Sequence, residues 1–423
     1  MSNHARALVP IESWAYSSPG QRMAGRLIDV GLMAESLIYY DNILLNVGNQ
    51  PQFAELLQWF IRQGKFSEFL ALVADGTIHL YEYSFVSAPI LKDGVYSLWN
   101  IQDEAQKIQN TFEKRFLYHS DVQAVVTNSR HRQALYKALR GNVTEVKADS
   151  FGSAIENARK DFVDPRRNAL IIQAFVDELY KIRRLGHPPD VEATVTEAPG
   201  GLAHNVTWNL DLKQLAETAG EQLGFHGGTP FAAGAVSTRL LWSAAEGDCD
   251  LYLGQPMSRL VGDKLFETAR SPAKTVALVE ELKGRVEFPD VRSLVNEGQL
   301  GLEDVLKIRD KAKRFRKWLQ SEGDRDRDAI LAYHNEVAKE AGYIGAARRV
   351  ISLFGVLGGG AVGGAVGSLM AGPIGGAVGG AAGSAVGYLS DLSAKLGSGW
   401  KPVVFGDWMR ERIESLLDKH RSN

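Results

Sequence analysis

Residues 355–387, GVLGGGAVGGAVGSLMAGPIGGAVGGAAGSAVG, hold 14 glycines in 33 positions and no charged side chain. Nothing else in the chain restricts its possible folds so sharply. In water a mid-helix glycine costs about 1 kcal/mol relative to alanine. In hydrocarbon an unpaired backbone group costs far more, so the surroundings enforce helix whatever the propensity. Such a segment therefore suits a bilayer or a tightly packed oligomer, where close approach of backbones is the gain.

The glycines fall every four residues, at Gly355, Gly359, Gly363 and Gly367, then at Gly375, Gly379, Gly383 and Gly387, with Ala371 between the two series. Small residues at i, i+4 line one helical face and let a second helix pack closely. A four-residue step drifts by about 40° around a helix, so a usable face lasts for three steps and not for eight. Pro373 sits in the centre, where it favours a turn. Two helices are predicted, 351–371 and 374–390, about 31 and 25 Å long, against a hydrocarbon core of about 30 Å. Arg348 and Arg349 precede the hairpin and Lys395 and Lys401 follow it, which places both ends on the cytoplasmic side.

The segment resembles the glycine-zipper transmembrane hairpins of some bacterial envelope proteins and pore-forming toxins. Pore-forming colicins offer a looser likeness: a soluble body that hides an apolar hairpin near its C-terminus. The resemblance covers only these residues, and it implies close helix packing in a membrane. With Gly, Ala, Val and Ser as its main side chains, a single copy is only weakly hydrophobic. Conditional, oligomer-assisted insertion is the expectation. A permanent anchor and a zipper inside a soluble oligomer are the alternatives.

The net charge of −2 opposes nucleic-acid binding by bulk electrostatics. The one cysteine, Cys249, excludes an internal disulfide and a multi-cysteine zinc site, and suits a reducing compartment. The opening residues lack a basic start followed by an apolar run. The expected location is the cytoplasm, with association to the inner membrane through the C-terminal hairpin.

The rest reads as mixed α/β, α+β overall. In residues 1–186, an N-terminal α/β domain with a helical second half, LIYYDNILLNVG (37–48) reads as a strand. Phe53, Leu56, Leu57, Phe60 and Ile61 then mark a helical face that Gly64 interrupts. TIHLYEYSFV (77–86) reads as the next strand, giving a βαβ unit with a parallel pair. No Gly-x-Gly-x-x-Gly follows the first strand. NALIIQAFVDELYKIRRLG reads as a helix, and GHPPD (186–190) as a boundary. Residues 187–288 form a mixed α+β region. There VEATVTE and HNVTWNLDL alternate as an antiparallel hairpin, and helices are expected at 213–222 and 230–246. Residues 289–349 are charged and helical, 350–390 form the hairpin, and 391–423 an amphipathic tail with Trp408, Met409, Ile413, Leu416 and Leu417 near one helical face.

Candidate sites are few. Residues 307–317 hold seven Lys/Arg, so Lys311, Lys313, Arg314, Arg316 and Lys317, with Arg348 and Arg349, are candidates for lipid headgroups or a partner. A solvated helix face explains the same run. Asp121 with Glu145 and Lys147 has the Asp…Glu-x-Lys spacing of metal-dependent nucleases, in which carboxylates hold Mg²⁺ and lysine steadies water. That reading needs the residues on adjacent strands, and AVVTN and NVTEVKA are the candidates. No other motif selects a reaction or a cofactor. The expected function is a membrane-associating, non-enzymatic effector, of a kind that suits bacterial antiviral defence or a toxin. Its hairpin oligomerises and permeabilises a membrane under control of the N-terminal region or a protein partner. The alternative is an α/β enzyme or nuclease that uses the hairpin as an anchor.

Overall fold

The computed structural model describes residues 6–11, 28–47, 50–82, 86–92, 95–101, 120–145, 151–183, 185–197, 203–211, 214–215, 229–247, 249–254, 257–269, 291–313, 316 and 413. The glycine segment, Lys147, Arg314, Lys317, Arg348 and Arg349 lie outside the described residues, as do the tail apart from Ile413 and the expected helix at 213–222 apart from residues 214–215.

The chain is a mixed α/β protein. Its strands and helices begin with β1 (Arg6–Pro10), α1 (Val30–Tyr39), β2 (Asn42–Val47), α2 (Gln50–Arg62), α3 (Phe66–Ala74) and β3 (Ile78–Glu82). There follow β4 (Val86–Lys92), β5 (Val95–Ile101), α4 (Ser120–Val125), α5 (Ser129–Leu139), β6 (Val143–Glu145), α6 (Phe151–Val163) and α7 (Pro165–Arg183). The later elements are β7 (Ala193–Glu197), β8 (Ala203–Trp208), α8 (Thr229–Gly247), β9 (Asp250–Leu251), α9 (Met257–Ala269), α10 (Val291–Asn296) and α11 (Leu302–Lys311).

Five strands form one sheet in the order β6-β3-β2-β1-β9, every neighbouring pair parallel. The expected βαβ unit is there: β2 and β3 pair with Ile43 opposite Ile78 and Leu45 opposite Leu80. Parallel strands bury both faces, so they read as unbroken apolar runs. Ala7, Val9, Ile43, Leu45, Ile78, Leu80 and Tyr252 join one core, which contains α1, α2, α3, α5, α10 and α11 side chains. Leu8, Leu44, Tyr81, Leu251 and Leu253 face the other way, into a core with α7, α8 and α9. The result is three layers, helices on both sides of a doubly wound sheet. Chain order reverses at β1, with β2 on one side and β9 on the other.

A second sheet, β4-β5-β8-β7, is antiparallel. The expected hairpin is β7–β8, with Val195 opposite Val206 and Ala193 opposite Trp208. Val206 packs with Ala158, Phe162 and Ala235 in a small core of its own. The Trp208 indole N–H donates to Asn168 Oδ1 at 2.9 Å, tying this sheet to α7.

Three expectations shift. Residues 37–39 end α1, and the strand starts at Asn42. The run 77–86 is one strand followed by the start of another, not a single strand. The segment AVVTN is no strand: it leaves α4 and supplies Asn128, whose side chain accepts from Arg130 N and caps α5.

Candidate functional site

Helix α1 is the centre of the arrangement. All ten of its residues are buried, so it has no polar face to show water. Its ends are closed by residues 263 to 278 positions later in the chain.

At the N-terminus Asp29 caps the helix by accepting from Leu32 N at 2.8 Å. Its carboxylate also takes Arg292 Nε and Nη2, both at 2.6 Å. Asn296 donates to Asp29 at 2.8 Å and accepts from Gly31 N at 2.9 Å. Close approach requires the glycine: a Cβ on Gly31 would lie 2.1 Å from the Arg292 carbonyl oxygen. This cluster sits at the carboxyl ends of the two strands where the order reverses. Asp29 N donates to Ile11 O just past β1, and the Arg292 guanidinium lies against Gly254 just past β9. Ligands of open α/β sheets bind in such a crevice; here the carboxylate and the guanidinium are already engaged with each other.

At the C-terminus α1 has no basic residue in its last turn, and its final carbonyls need donors. Arg309 supplies them to Leu37 O, to Tyr40 O at 2.5 Å and to Asp41 O at 2.6 Å. Arg316 donates to Ile38 O at 3.1 Å and to the Asp41 carboxylate at 2.8 Å. Burial, with Arg316 beside it, draws the Arg309 pKa down to about 10, which leaves it charged at neutral pH. Two cations at the negative end of a helix macrodipole are favourably placed.

Between the ends, the Tyr252 hydroxyl donates to the buried Glu35 carboxylate at 2.6 Å. Burial, then the Glu35 charge, push that phenol well above its ordinary range. Burial and the Asp250 carboxylate do the same for Tyr40, whose ring meets that of Tyr252 edge-on at 5.8 Å.

Residues 291–313 with Arg316 thus form a strap along α1. Val291, Val295, Leu300, Leu302, Val305 and Ile308 of the strap are all buried in the same core. At about 1.5–3 kcal/mol per side chain, six such residues contribute roughly 9–18 kcal/mol of gross burial, an upper bound. The strap is a fixed part of the body. Ile413 also belongs to this core, 2% exposed. The described residues on either side of the glycine segment, Arg316 and Ile413, therefore both rest in one helical layer.

The basic run divides by face. Arg309 and Arg316 are inward and structural; Lys311 and Lys313 are exposed. Arg316 is 6% exposed, so its role is to hold Asp41, not to meet a lipid or a partner. Asp121 lies on helix α4 and Glu145 ends the edge strand β6, where it pairs with Glu82. The adjacent-strand placement expected of a nuclease pair is not seen. Among the described residues no group of three or more His, Cys, Asp or Glu could hold a metal ion. Nor is any described helix long and apolar enough to cross a membrane.

Two other features were not foreseen. On the far side of the sheet, Lys264 Nζ lies 2.5 Å from Asp161 Oδ2 and donates to Ser237 at 2.8 Å and Thr238 at 2.9 Å. Asp161 also takes Arg167 at 2.6 Å. Burial lowers the Lys264 pKa, and Asp161 opposes that shift. Both side chains are only 1% exposed, so the pair locks α6, α8 and α9 together and is out of reach of a substrate. The second feature is a half-open cleft of about 420 Å³ between α2 and the turn at 298–304. Its walls mix Trp59 and Leu300 with Arg62, Lys65, Glu303 and Asp304, and Lys65 is already paired with Glu303 at 3.2 Å.

No protein-family model matches the chain, and no curated protein or solved structure matches it either.

Proposed function

We propose that the protein is a membrane-associating effector, not an enzyme: an α/β body carries the glycine segment as a two-pass hairpin that oligomerises and permeabilises a bilayer. One observation supports it above the rest. Arg316 and Ile413, the described residues that flank the glycine segment in sequence, are both held in the helical layer on one face of the sheet. Flanks held in one layer suit a hairpin whose two ends emerge on one side of a membrane. The four-residue glycine repeat supplies the contact face between helices. The body would set when the hairpin is available, through a protein partner or another copy of the chain. The cytoplasmic face of an inner membrane, in an antiviral defence or toxin setting, is the context this design suits.

The test is dye release from vesicles of phosphatidylcholine and phosphatidylglycerol by the full chain, beside Gly363→Leu and Gly379→Leu. Release by the parent and its loss in both variants is the expected result. Equal release by all three would remove the zipper from the mechanism. Vesicle binding without release would reduce the hairpin to an anchor, and no binding at all would leave a soluble assembly.

A further inference from the structure

Helix α5 carries the most one-sided charge in the described structure. Residues 122–144 contain Arg130, Arg132, Lys137 and Arg140 and no Asp or Glu, in a chain whose net charge is −2. Leu135, Ala138 and Leu139 are its inward face. At 100° per residue the opposite side of the helix is Arg130, Gln133 and Lys137, with Tyr136 beside them and Arg140 following as the C-cap. All five are exposed, Tyr136 at 38%. Arg132 is occupied: it donates to Val126 O and Thr127 O. The side chains of Arg130, Lys137 and Arg140 have no ion-pair partner among the described residues. Arg130 also stands in the first turn, at the positive end of the helix dipole, where a cation opposes folding of the helix. Its presence there is not explained by the stability of α5.

The position is as informative as the charge. Leu135 and Leu139 pack into the same core as α1, the strap and Ile413. The cationic stripe therefore belongs to the helical layer that also holds Arg316 and Ile413, the described residues flanking the glycine segment in sequence. Tyrosine beside arginine and lysine is the composition of a membrane interface, where an amphipathic ring sits at headgroup depth.

We infer that the outward face of α5, Arg130, Lys137 and Arg140 with Tyr136, docks the body on an anionic lipid surface. This deepens the function proposed above and rests on it: the stripe holds the helical layer against the headgroups while the hairpin crosses. Phosphate-bearing headgroups are the ligand, taken by several separate cations, so binding falls steeply with salt.

The experiment is co-sedimentation of the full chain with vesicles of phosphatidylcholine alone and of phosphatidylcholine mixed equally with phosphatidylglycerol. It compares the parent, the triple variant Arg130→Glu, Lys137→Glu, Arg140→Glu, and the Gly363→Leu variant. Each lost cation is expected to weaken partition about fivefold, so the triple variant should lose about a hundredfold or more on the anionic vesicles. Its unfolding midpoint should match the parent's, since none of the three side chains has an ion-pair partner among the described residues. Gly363→Leu should still bind in a salt-sensitive manner while failing to release dye. A triple variant that binds like the parent overturns the docking face and leaves the hairpin reading standing. Dye release lost with Gly363→Leu but unchanged in the triple variant has the same meaning. A parent that binds neither vesicle overturns both. Preferential binding of a DNA duplex, abolished by the same three substitutions, would assign the stripe to nucleic acid instead.

Discussion

The Arg316 guanidinium meets the Asp41 carboxylate at 2.8 Å, across 275 residues of sequence. With Arg309 it closes the C-terminus of α1, as Arg292 and Asn296 close the N-terminus through Asp29. A helix made early in the chain is thus completed by a segment made late. The strap cannot separate from the body without withdrawing these donors from the helix carbonyls and from the Asp41 carboxylate.

Truncating either end of this closure should be costly. Arg316→Ala removes one charge-assisted bond from Asp41 and the donor to Ile38 O; the expected loss is about 1–3 kcal/mol. Asp29→Ala removes the cap and takes the carboxylate from the buried Arg292, at about 3–5 kcal/mol. Arg316→Lys should recover only part, because a lysine cannot reach the carboxylate and the carbonyl in one planar fork. Urea unfolding of the full-length variants reads all three. A loss under about 0.5 kcal/mol for Asp29→Ala would mean that the strap does not depend on this contact.

Two glycines offer opposite outcomes for one chemical change. Gly31→Ala places a methyl 2.1 Å from the Arg292 carbonyl, a backbone atom that cannot swing aside. A loss of about 1–3 kcal/mol is expected from the overpacking. Gly262 lies inside α9, and a methyl added there would meet nothing within 4 Å. Gly262→Ala should gain about 0.5–1 kcal/mol from helix propensity alone. Thermal unfolding distinguishes the two; shifts of the same sign would contradict the packing at one of them.

Much of this fold could be read from residue patterns, and the exceptions share a cause. The i, i+3, i+4 spacing of Phe53, Leu56, Leu57 and Phe60 located α2, and alternation located β7 and β8. Helix α1 escaped because it is buried all round, and VGLMAESLIY has no polar face to set a period. The partners of Asp29 escaped because nothing local in a sequence links residue 29 to residue 292. Arg309 and Arg316 stand seven apart, two turns along one helical face, but the run around them reads equally as a solvated surface. The absence of any acid between residues 122 and 144 was visible in the sequence. Its meaning depended on seeing that Leu135 and Leu139 turn the cations outward.

Acid should weaken the body through His79. Burial, with Arg6 adding to it, lowers its pKa to about 4, against about 6.5 in an unfolded chain. Between those values the unfolded state binds the extra proton, so stability rises with pH. The contribution is complete above about pH 6.5 and is lost as pH falls towards about 4. The ring is partly solvated, so the loss is only a fraction of the full linkage value. His79→Gln should flatten the difference between urea midpoints at about pH 7.5 and about pH 5. An unchanged difference would place the acid sensitivity elsewhere.

The strap and the tail should respond differently to the same insult. Ile308→Asp puts a carboxylate into a core that its helix cannot leave without taking Val305, Ala312 and the two arginine contacts with it. It should cost more than about 4 kcal/mol and unfold much of the chain at ambient temperature. Ile413 is the one described tail residue in that core. In Ile413→Asp the expected penalty is that of taking one isoleucine out of the core into water, about 1.5–3 kcal/mol. The body should stay folded and the strap should stay in place. Urea unfolding of the two full-length variants checks the asymmetry. If Ile413→Asp is as damaging as Ile308→Asp, the tail is as integral to the layer as the strap. The hairpin would then be held at two fixed points, and control of its insertion would have to lie within the glycine segment itself.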